Sequence, residues 1–204
     1  MRLNFVNKRV RDLSVRAEVI ELAAICVALL SVCLVLPLVL QYFPKTSFAR
    51  NGLDQWIMGP IVNCALIITG VNVRGLAKTS AVVLLPSVVH IALFYLFAIG
   101  TVFSLYMLPA IWLGNLILVL GIKYFYTHRK WNFAQSCALV ISVKVGIIMG
   151  IFGMLVATGA IPQIPAQAML PRMSINQLCV ALIGCTAAFA IIKIFYLRIC
   201  EKRS

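Results

Sequence analysis

Four polar side chains interrupt the long apolar runs of the sequence, and they are the residues best placed to do chemistry. They are Asn63, His90, Asn115 and Lys144. A charged or amide group in an apolar environment is costly unless it is hydrogen-bonded, so each of them must face another helix or a polar cavity. Asn115 directly follows Gly114, which leaves space beside the backbone. Both an interhelical hydrogen bond and a contact with a ligand are consistent with this pattern.

Lys144 carries the most informative signal of the four. A charged side chain at the centre of a membrane helix costs about 2.5 to 3.5 kcal/mol on insertion scales. No Asp or Glu is expected at the same depth, and Glu21 in the first apolar run could reach it only over a long distance. An anionic ligand would supply the missing counter-charge, whereas a lysine that snorkels or is neutralised by burial would need none. We favour the ligand, with Asn115 and Asn63 orienting the rest of the molecule.

Two glutamines are predicted to flank the mouth of the same pocket. Gln55 and Gln177 lie at the outer ends of the second and sixth apolar runs. Gln177 also fits a capping box that begins at Ser174, in which it would satisfy backbone donors instead. His90 alone is a weak signal, because a lone histidine on a helix is more often a satisfied interior residue. The predicted substrate-binding residues are Gln55, Asn63, His90, Asn115, Lys144 and Gln177.

The composition places these residues in a membrane protein. Of the 204 residues, 63% are hydrophobic and only 11% are charged, a balance that soluble domains do not show. The sequence lacks the alternating ten-residue segments of a β-barrel, so we predict an all-α integral membrane protein. The transmembrane domain is expected at 19–204, after a basic amphipathic segment at 1–18 that lies on the headgroups. The six predicted spans are 19–42, 57–73, 79–99, 103–122, 132–158 and 175–197.

The basic residues between the spans predict the orientation. Eighteen Lys and Arg against five Asp and Glu give a net charge of +13, which in a membrane protein is typical of topology signals and lipid contacts and does not require nucleic acid. With both the N- and C-termini cytoplasmic, thirteen of these cations fall inside and only Lys45, Arg50 and Arg172 fall outside. The long outer segments 43–56 and 159–174 are then either a lid over an outward-facing pocket or ordinary connections.

Small residues mark faces where helices can approach each other closely. Gly146 and Gly150 form a GxxxG motif that Gly153 continues, and Gly184 with Ala188 repeats the spacing in the sixth span. Ala24 and Ala28 form an AxxxA motif in the first span. Packing within the chain is the default expectation for all three motifs, but the pair in the first span could equally face a separate membrane subunit.

The sequence lacks the motifs that several enzymatic activities require. There is no GxxxxGK[ST] for ATP hydrolysis, no HExxH and no paired acids, so we expect neither an enzyme nor a cofactor. The cysteines form no CxxC or Cys/His cluster, so we expect no metal site and read them as small buried hydrophobes. They are Cys26, Cys33, Cys64, Cys137, Cys179, Cys185 and Cys200.

Several stretches of the chain form a pattern together. They are Gln55 with GPIVN at 59–63, Pro86, MLPAIWLGN at 107–115, Lys144 and INQLCVALIGC at 175–185. Over most of residues 55–190 this pattern resembles the substrate-binding S components of energy-coupling factor (ECF) transporters, which are bacterial six-helix membrane proteins. The LPAIWLGN and GPIVN pieces are the most telling.

The resemblance implies a subunit of the bacterial cytoplasmic (inner) membrane that captures a vitamin or similar micronutrient from outside. It also implies docking on a transmembrane coupling subunit that carries two ATPase subunits. In the family an AxxxA motif on the first helix faces that partner, and Ala24 and Ala28 match it in type and place. The alternative is a membrane assembly subunit in which Asn115 and the small residues serve only packing. A small lipid-modifying enzyme that uses His90 is the least favoured possibility.

Overall fold

The computed structural model describes residues 15–40, 54–73, 75–97 and 102–201, and the regular structure in these ranges is helical, without a strand. The α-helices are α1 (Val15–Leu40), α2 (Gly59–Asn72), α3 (Leu76–Phe97), α4 (Val102–Tyr106), α5 (Leu108–Ile122), α6 (Phe133–Ala157), α7 (Gln163–Met173) and α8 (Ile175–Glu201). Six stretches of the described chain are long and apolar enough to cross a membrane, and they contain α1, α2, α3, α5, α6 and α8. The predicted all-α architecture with six potential spans is therefore confirmed.

Two other parts of the sequence-based description stay predictions. The cytoplasmic placement of the two termini depends on the charge of the loops alone. Most of the basic segment 1–18 and most of the outer segment 43–56 lie outside the described residues.

Two of the predicted spans begin irregularly, and proline is the reason in both. A π-helical turn, Asp54–Met58, precedes α2, and Pro60 occupies the first turn of that helix. The fourth predicted span, 103–122, is divided into α4 and α5 by a turn at Met107, two residues before Pro109. Proline lacks an N–H and its ring crowds the carbonyl four residues earlier, so it breaks no hydrogen bond when it lies in the first turn of a helix.

The predicted outer segment 159–174 contains a packed helix, α7. Pro162 precedes α7 and Pro165 lies in its first turn, where a missing N–H breaks no hydrogen bond. Ile161, Ala166 and Met173 are buried against α5 and α6. This segment therefore caps one end of the bundle, which we call the α7 end, and it is more ordered than the predicted loop.

The core is formed where α2 packs along α8 and α5 packs along α6, while α1 and α3 pack along each other at the side. Its larger part is a cluster of mostly aliphatic side chains that come mainly from α2, α5 and α6, with further members from α1, α3 and α8. At the end opposite to α7, the Lys123 Nζ donates to the carbonyl of Val73 at 3.1 Å. We call this the basic end, because Arg129 and Lys130 follow Lys123 there.

The small-residue motifs divide into one internal and one external set. Gly184 meets α2 so closely that an added Cβ would contact its backbone, and Ala188 is fully buried, so the packing predicted for this motif is confirmed. The same prediction is wrong for the GxxxG motif. An added Cβ at Gly146, Gly150 or Gly153 meets no described atom within 4 Å. Because the bundle closes on other faces of α6, this stripe lies on its outer surface.

The six cysteines whose side chains are described are free thiols. Cys33, Cys64 and Cys137 are buried in the apolar core, which is the packing role predicted for them. The Cys137 and Cys185 thiols are hydrogen-bonded to each other, and this contact joins α6 to α8.

Candidate functional site

Lys144 and Asn63 form a hydrogen-bonded pair inside the bundle. The Lys144 Nζ donates to the Asn63 Oδ1 at 2.6 Å, and the Asn63 Nδ2 donates to the Gly59 carbonyl at 2.8 Å. The two side chains are only 2% and 3% exposed. Lys144 lies near the middle of α6, so its ammonium is far from both helix ends. The structure thus brings together two of the residues that the sequence predicted to converge.

Two glycines let the neighbouring helices approach this pair. A Cβ atom added to Gly184 of α8 would lie 2.7 Å from the Asn63 Cβ and 2.7 Å from the Pro60 carbonyl oxygen. A Cβ atom added to Gly114 of α5 would lie 3.1 Å from the Lys144 Cγ. These distances leave little room for a side chain, so each glycine sets the spacing of two helices. Gly114 holds α5 against the Lys144 stem, and Asn115 is the next residue.

The charge of Lys144 has no acidic partner among the described residues. Its described hydrogen bond goes to a neutral amide oxygen, and the sequence contains no Asp or Glu from residue 55 to residue 200. Asp54 is nine residues from Asn63, which is about 13 Å along a helix. The amide oxygen stabilises an ammonium but does not neutralise it, and an unneutralised buried charge is costly. A Lys144 that is charged at this position would therefore attract an anion, whereas a lysine neutralised by burial would need no counter-charge.

Asn115 and Trp112 are polar residues on α5, the helix that packs along α6. Asn115 is 4% exposed and follows Gly114, the position that meets the Lys144 stem. The buried indole N–H of Trp112 has no hydrogen-bond partner within the described part of the chain. Because the two residues are three positions apart, they lie on the same face of the helix. Buried polar groups are nearly always hydrogen-bonded, so the unpaired N–H of Trp112 is an exception in this bundle.

The unpaired buried N–H of Trp112 is a feature that the sequence reasoning missed. Trp112 lies in an apolar run, where an aromatic ring is usually part of the core, and its N–H becomes informative only when its surroundings are known. The signal that could have found it is its spacing of three residues from Asn115, which places both polar groups on one helix face.

An apolar cluster separates the Lys144–Asn63 pair from the α7 end. Its buried members are Met107, Ala110, Ile148, Phe152, Ile161, Ala166 and Met173. Ile148 is one helical turn from Lys144, and its side chain packs on the Gly114 position. In this conformation the cluster closes the α7 end, so a molecule that enters there must displace it. We call this cluster the apolar cover.

Gln55 lies at the α7 end and joins three segments of the chain. Its Nε2 donates to the Arg172 carbonyl at 2.9 Å, and the Asn176 Nδ2 donates to its Oε1 at 3.3 Å. Gln55 is eight residues before Asn63, which is about 12 Å along a helix. It therefore holds α7 and α8 to the start of α2 at the predicted mouth, and it is not part of the Lys144 contact.

Gln177 and His90 are half-buried, and neither takes part in the hydrogen bonds of Lys144 and Asn63 described above. Gln177 lies in the first turn of α8. The Ser174 Oγ donates to the Leu170 carbonyl at 2.7 Å. Because a hydroxyl oxygen can donate and accept at once, the capping box stays a prediction. His90 lies on α3, which packs along α1. The substrate-binding roles of Gln177 and His90 therefore stay predictions.

The predicted partner-docking residues, Ala24 and Ala28, are both exposed on α1. They are one helical turn apart and therefore lie on one face of the helix. Their Cβ atoms leave a shallow strip where another helix could approach the α1 backbone closely.

Comparisons of the chain with protein-family models, with curated proteins and with solved structures find no match. The fold and the site by themselves define a six-helix membrane protein with a buried lysine–amide pair that joins α6 to α2. Its function is therefore argued from these groups.

Proposed function

We propose that this chain is the substrate-capture membrane subunit of an ECF-type importer for a small anionic micronutrient. The observation that carries the proposal is the buried ammonium of Lys144, whose described hydrogen-bond partner is the neutral Oδ1 of Asn63. In a low-dielectric interior an anion is attracted to such a group far more strongly than in water. The resemblance of the apolar stretches to S components supports the same conclusion.

Each polar group has a distinct part in the proposed binding. Lys144 provides the counter-charge for an anionic group such as a carboxylate, and Asn63 holds its Nζ in place. Asn115 offers a donor and an acceptor, while the Trp112 indole offers a donor only. This set favours a substrate with one negative charge and at least one further acceptor. The apolar cover would shield the bound molecule from water.

The proposed transport also requires a partner. The sequence has no GxxxxGK[ST] motif, so energy from ATP would come from two ATPase subunits through a transmembrane coupling subunit. The exposed strip at Ala24 and Ala28 supports docking of that subunit on α1. Loss of the binding site and loss of the docking strip should therefore have separable effects.

The first experiment identifies the substrate. The full-length protein is purified in mild detergent, and small molecules released on denaturation are analysed by mass spectrometry. The released anion is then added back, and the thermal midpoint is measured. Ligand that binds only the folded state raises the midpoint by mass action, to an extent set by its concentration relative to the dissociation constant.

The matched variants are Lys144→Met and Lys193→Met. Both remove one lysine from a membrane helix, but Lys193 is exposed on α8 whereas Lys144 is buried. We expect the ligand-induced shift to shrink strongly in Lys144→Met and to persist in Lys193→Met. An undiminished shift in Lys144→Met would contradict the assignment of Lys144 to the substrate.

A second function, a membrane assembly subunit, is favoured by one observation. Gly146, Gly150 and Gly153 form an exposed small-residue stripe on α6 that the chain does not use for its own packing. Such stripes are typical of close helix–helix contacts between membrane proteins. Replacing Gly146 and Gly150 with leucine should then abolish co-purification of a partner. If this variant keeps its partner and still shows the ligand-induced shift, the assembly function is excluded.

A further inference from the structure

The turn that joins α5 to α6 carries a cluster of cations and aromatic rings at the basic end. We call Tyr124, Arg129, Lys130 and Trp131 the basic turn. A π-helical segment, Lys123–His128, extends α5 into this turn, and α6 begins at Phe133. The Tyr124 and Trp131 side chains are 45% and 44% exposed, and Arg129 and Lys130 are exposed as well.

Arg129 is held in a fixed position by Tyr124. Its Nε donates to the Tyr124 Oη at 3.0 Å, and its guanidinium carbon lies 5.4 Å from the centre of the tyrosine ring. The Arg129 backbone N–H also donates to the Tyr124 carbonyl at 2.9 Å. A guanidinium has five N–H donors, so the terminal nitrogens stay available for a planar or tetrahedral oxyanion. Because the arginine is already ordered, an oxyanion gains these bonds at a low cost in side-chain entropy.

Lys130 adds a second charge next to Arg129. Its backbone φ is +58°, which lies in the left-handed region that lysine rarely adopts. The next residue, Trp131, fixes the return of the chain, because its backbone N–H donates to the Phe125 carbonyl at 3.0 Å and its ring lies 4.7 Å from that of Phe125. The turn therefore presents two adjacent cations on a rigid backbone.

The basic turn has no acidic residues near it in the sequence. No Asp or Glu occurs from residue 55 to residue 200, and no ion pair of Arg129 or Lys130 occurs within the described ranges. Half-exposed tyrosine and tryptophan rings at the end of a membrane helix are typical of the headgroup level of a bilayer. The molecules that combine a negative charge with an apolar body at this level are anionic lipids.

We propose that the basic turn binds the phosphate group of an anionic phospholipid. Arg129 donates two hydrogen bonds to the phosphate oxygens and Lys130 adds a second positive charge. The Tyr124 and Trp131 rings lie along the glycerol and the first methylenes of the chains. This site is separate from the Lys144–Asn63 pair and does not depend on whether the chain captures a substrate.

The test measures lipid binding to the full-length protein by native mass spectrometry in detergent. The probes are phosphatidylglycerol, which is anionic, and phosphatidylcholine of the same chain length, which is zwitterionic. The variants are Arg129→Gln and Lys130→Asn, because asparagine tolerates the left-handed conformation that residue 130 adopts. The matched control is Arg172→Gln, which makes the same chemical change at the α7 end.

We expect the wild-type protein and Arg172→Gln to bind phosphatidylglycerol in preference to phosphatidylcholine. Each cation removed from the basic turn should weaken phosphatidylglycerol binding about fivefold, the fold-change that corresponds to one cation at an anionic surface. Tyr124→Phe keeps the ring but removes the Oη that orients Arg129, and it should cause a smaller loss. Binding of phosphatidylcholine, whose choline cation offsets the charge of its phosphate, should change less than binding of phosphatidylglycerol in every variant.

Two results would overturn the proposal. One is a phosphatidylglycerol preference that is equal in the wild type and in the Arg129→Gln/Lys130→Asn double variant. The other is displacement of phosphatidylglycerol by millimolar inorganic phosphate, which would assign the turn to a free anion instead of a lipid. A thermal midpoint within a few degrees of the wild type shows that each variant is folded, and Lys130→Gly replaces Lys130→Asn if it is not.

Discussion

The Lys144–Asn63 hydrogen bond predicts that Asn63→Leu has opposite effects on stability with and without the lysine. The substitution should destabilise the wild-type protein and stabilise the Lys144→Met variant. Asn63→Leu keeps the shape of the side chain but removes the Oδ1 that lies 2.6 Å from the Lys144 Nζ. A hydrogen bond to a charged group contributes about 1.5 to 3 kcal/mol. With Lys144 present, we therefore expect Asn63→Leu to lower the free energy of unfolding by about 2 kcal/mol.

The companion substitution, Lys144→Met, involves two opposing terms. It removes a buried charge, which is favourable by about 2.5 to 3.5 kcal/mol on insertion scales. It also leaves the Asn63 Oδ1 without a donor, which costs about 1 to 3 kcal/mol. The first term is the larger, so the variant without ligand should be as stable as the wild type or more stable. Adding Asn63→Leu then removes the unpaired oxygen and should stabilise the protein further.

The assay is reversible unfolding of the full chain in mixed micelles, followed by circular dichroism and by tryptophan fluorescence. The four proteins of the double-mutant cycle give a coupling energy of about 3 kcal/mol if the bond is formed as described. An effect of Asn63→Leu that is equal with and without Lys144 would refute the reasoning. In that case the lysine would be stabilised by something other than the amide.

Three further predictions follow from other parts of the bundle. Gly184→Ala should lower the free energy of unfolding by about 1 to 3 kcal/mol in the same assay, because the new Cβ would lie 2.7 Å from the α2 backbone. The control is Gly146→Ala, whose Cβ meets open space, and it should change the free energy of unfolding by less than about 0.5 kcal/mol. A cysteine introduced at Gln167, which is exposed on α7, should react with a membrane-impermeant maleimide from outside intact cells, and labelling only from the cytoplasm would reverse the predicted topology. Replacing Ala24 and Ala28 with leucine should abolish co-purification with a coupling subunit, while the ligand-induced thermal shift is kept. A variant that fails to fold would instead assign both alanines to internal packing.

Local chemistry explains which features could be predicted from the sequence. The apolar run lengths indicated six spans, because a membrane helix must satisfy its own backbone over about 20 residues. Lys144 and Asn63 stood out because a charge or an amide in such a run needs a partner. The type of each residue and its place along one helix were enough for both conclusions.

Other features were decided by the packing of helices that are distant in the chain. Whether a polar group stays without a hydrogen-bond partner depends on every neighbouring segment. The unpaired N–H of Trp112 could therefore not be recognised from its place in an apolar run. The GxxxG spacing of Gly146 and Gly150 shows only that a close contact is possible on that face, and in the structure the face meets no described atom. A glycine such as Gly184 acquires its role when α8 reaches the α2 backbone. Sequence by itself thus determined which residues need partners. Only the tertiary structure decided which of them have a partner, because hydrogen bonds and close helix contacts depend on distances between segments that are far apart in the chain.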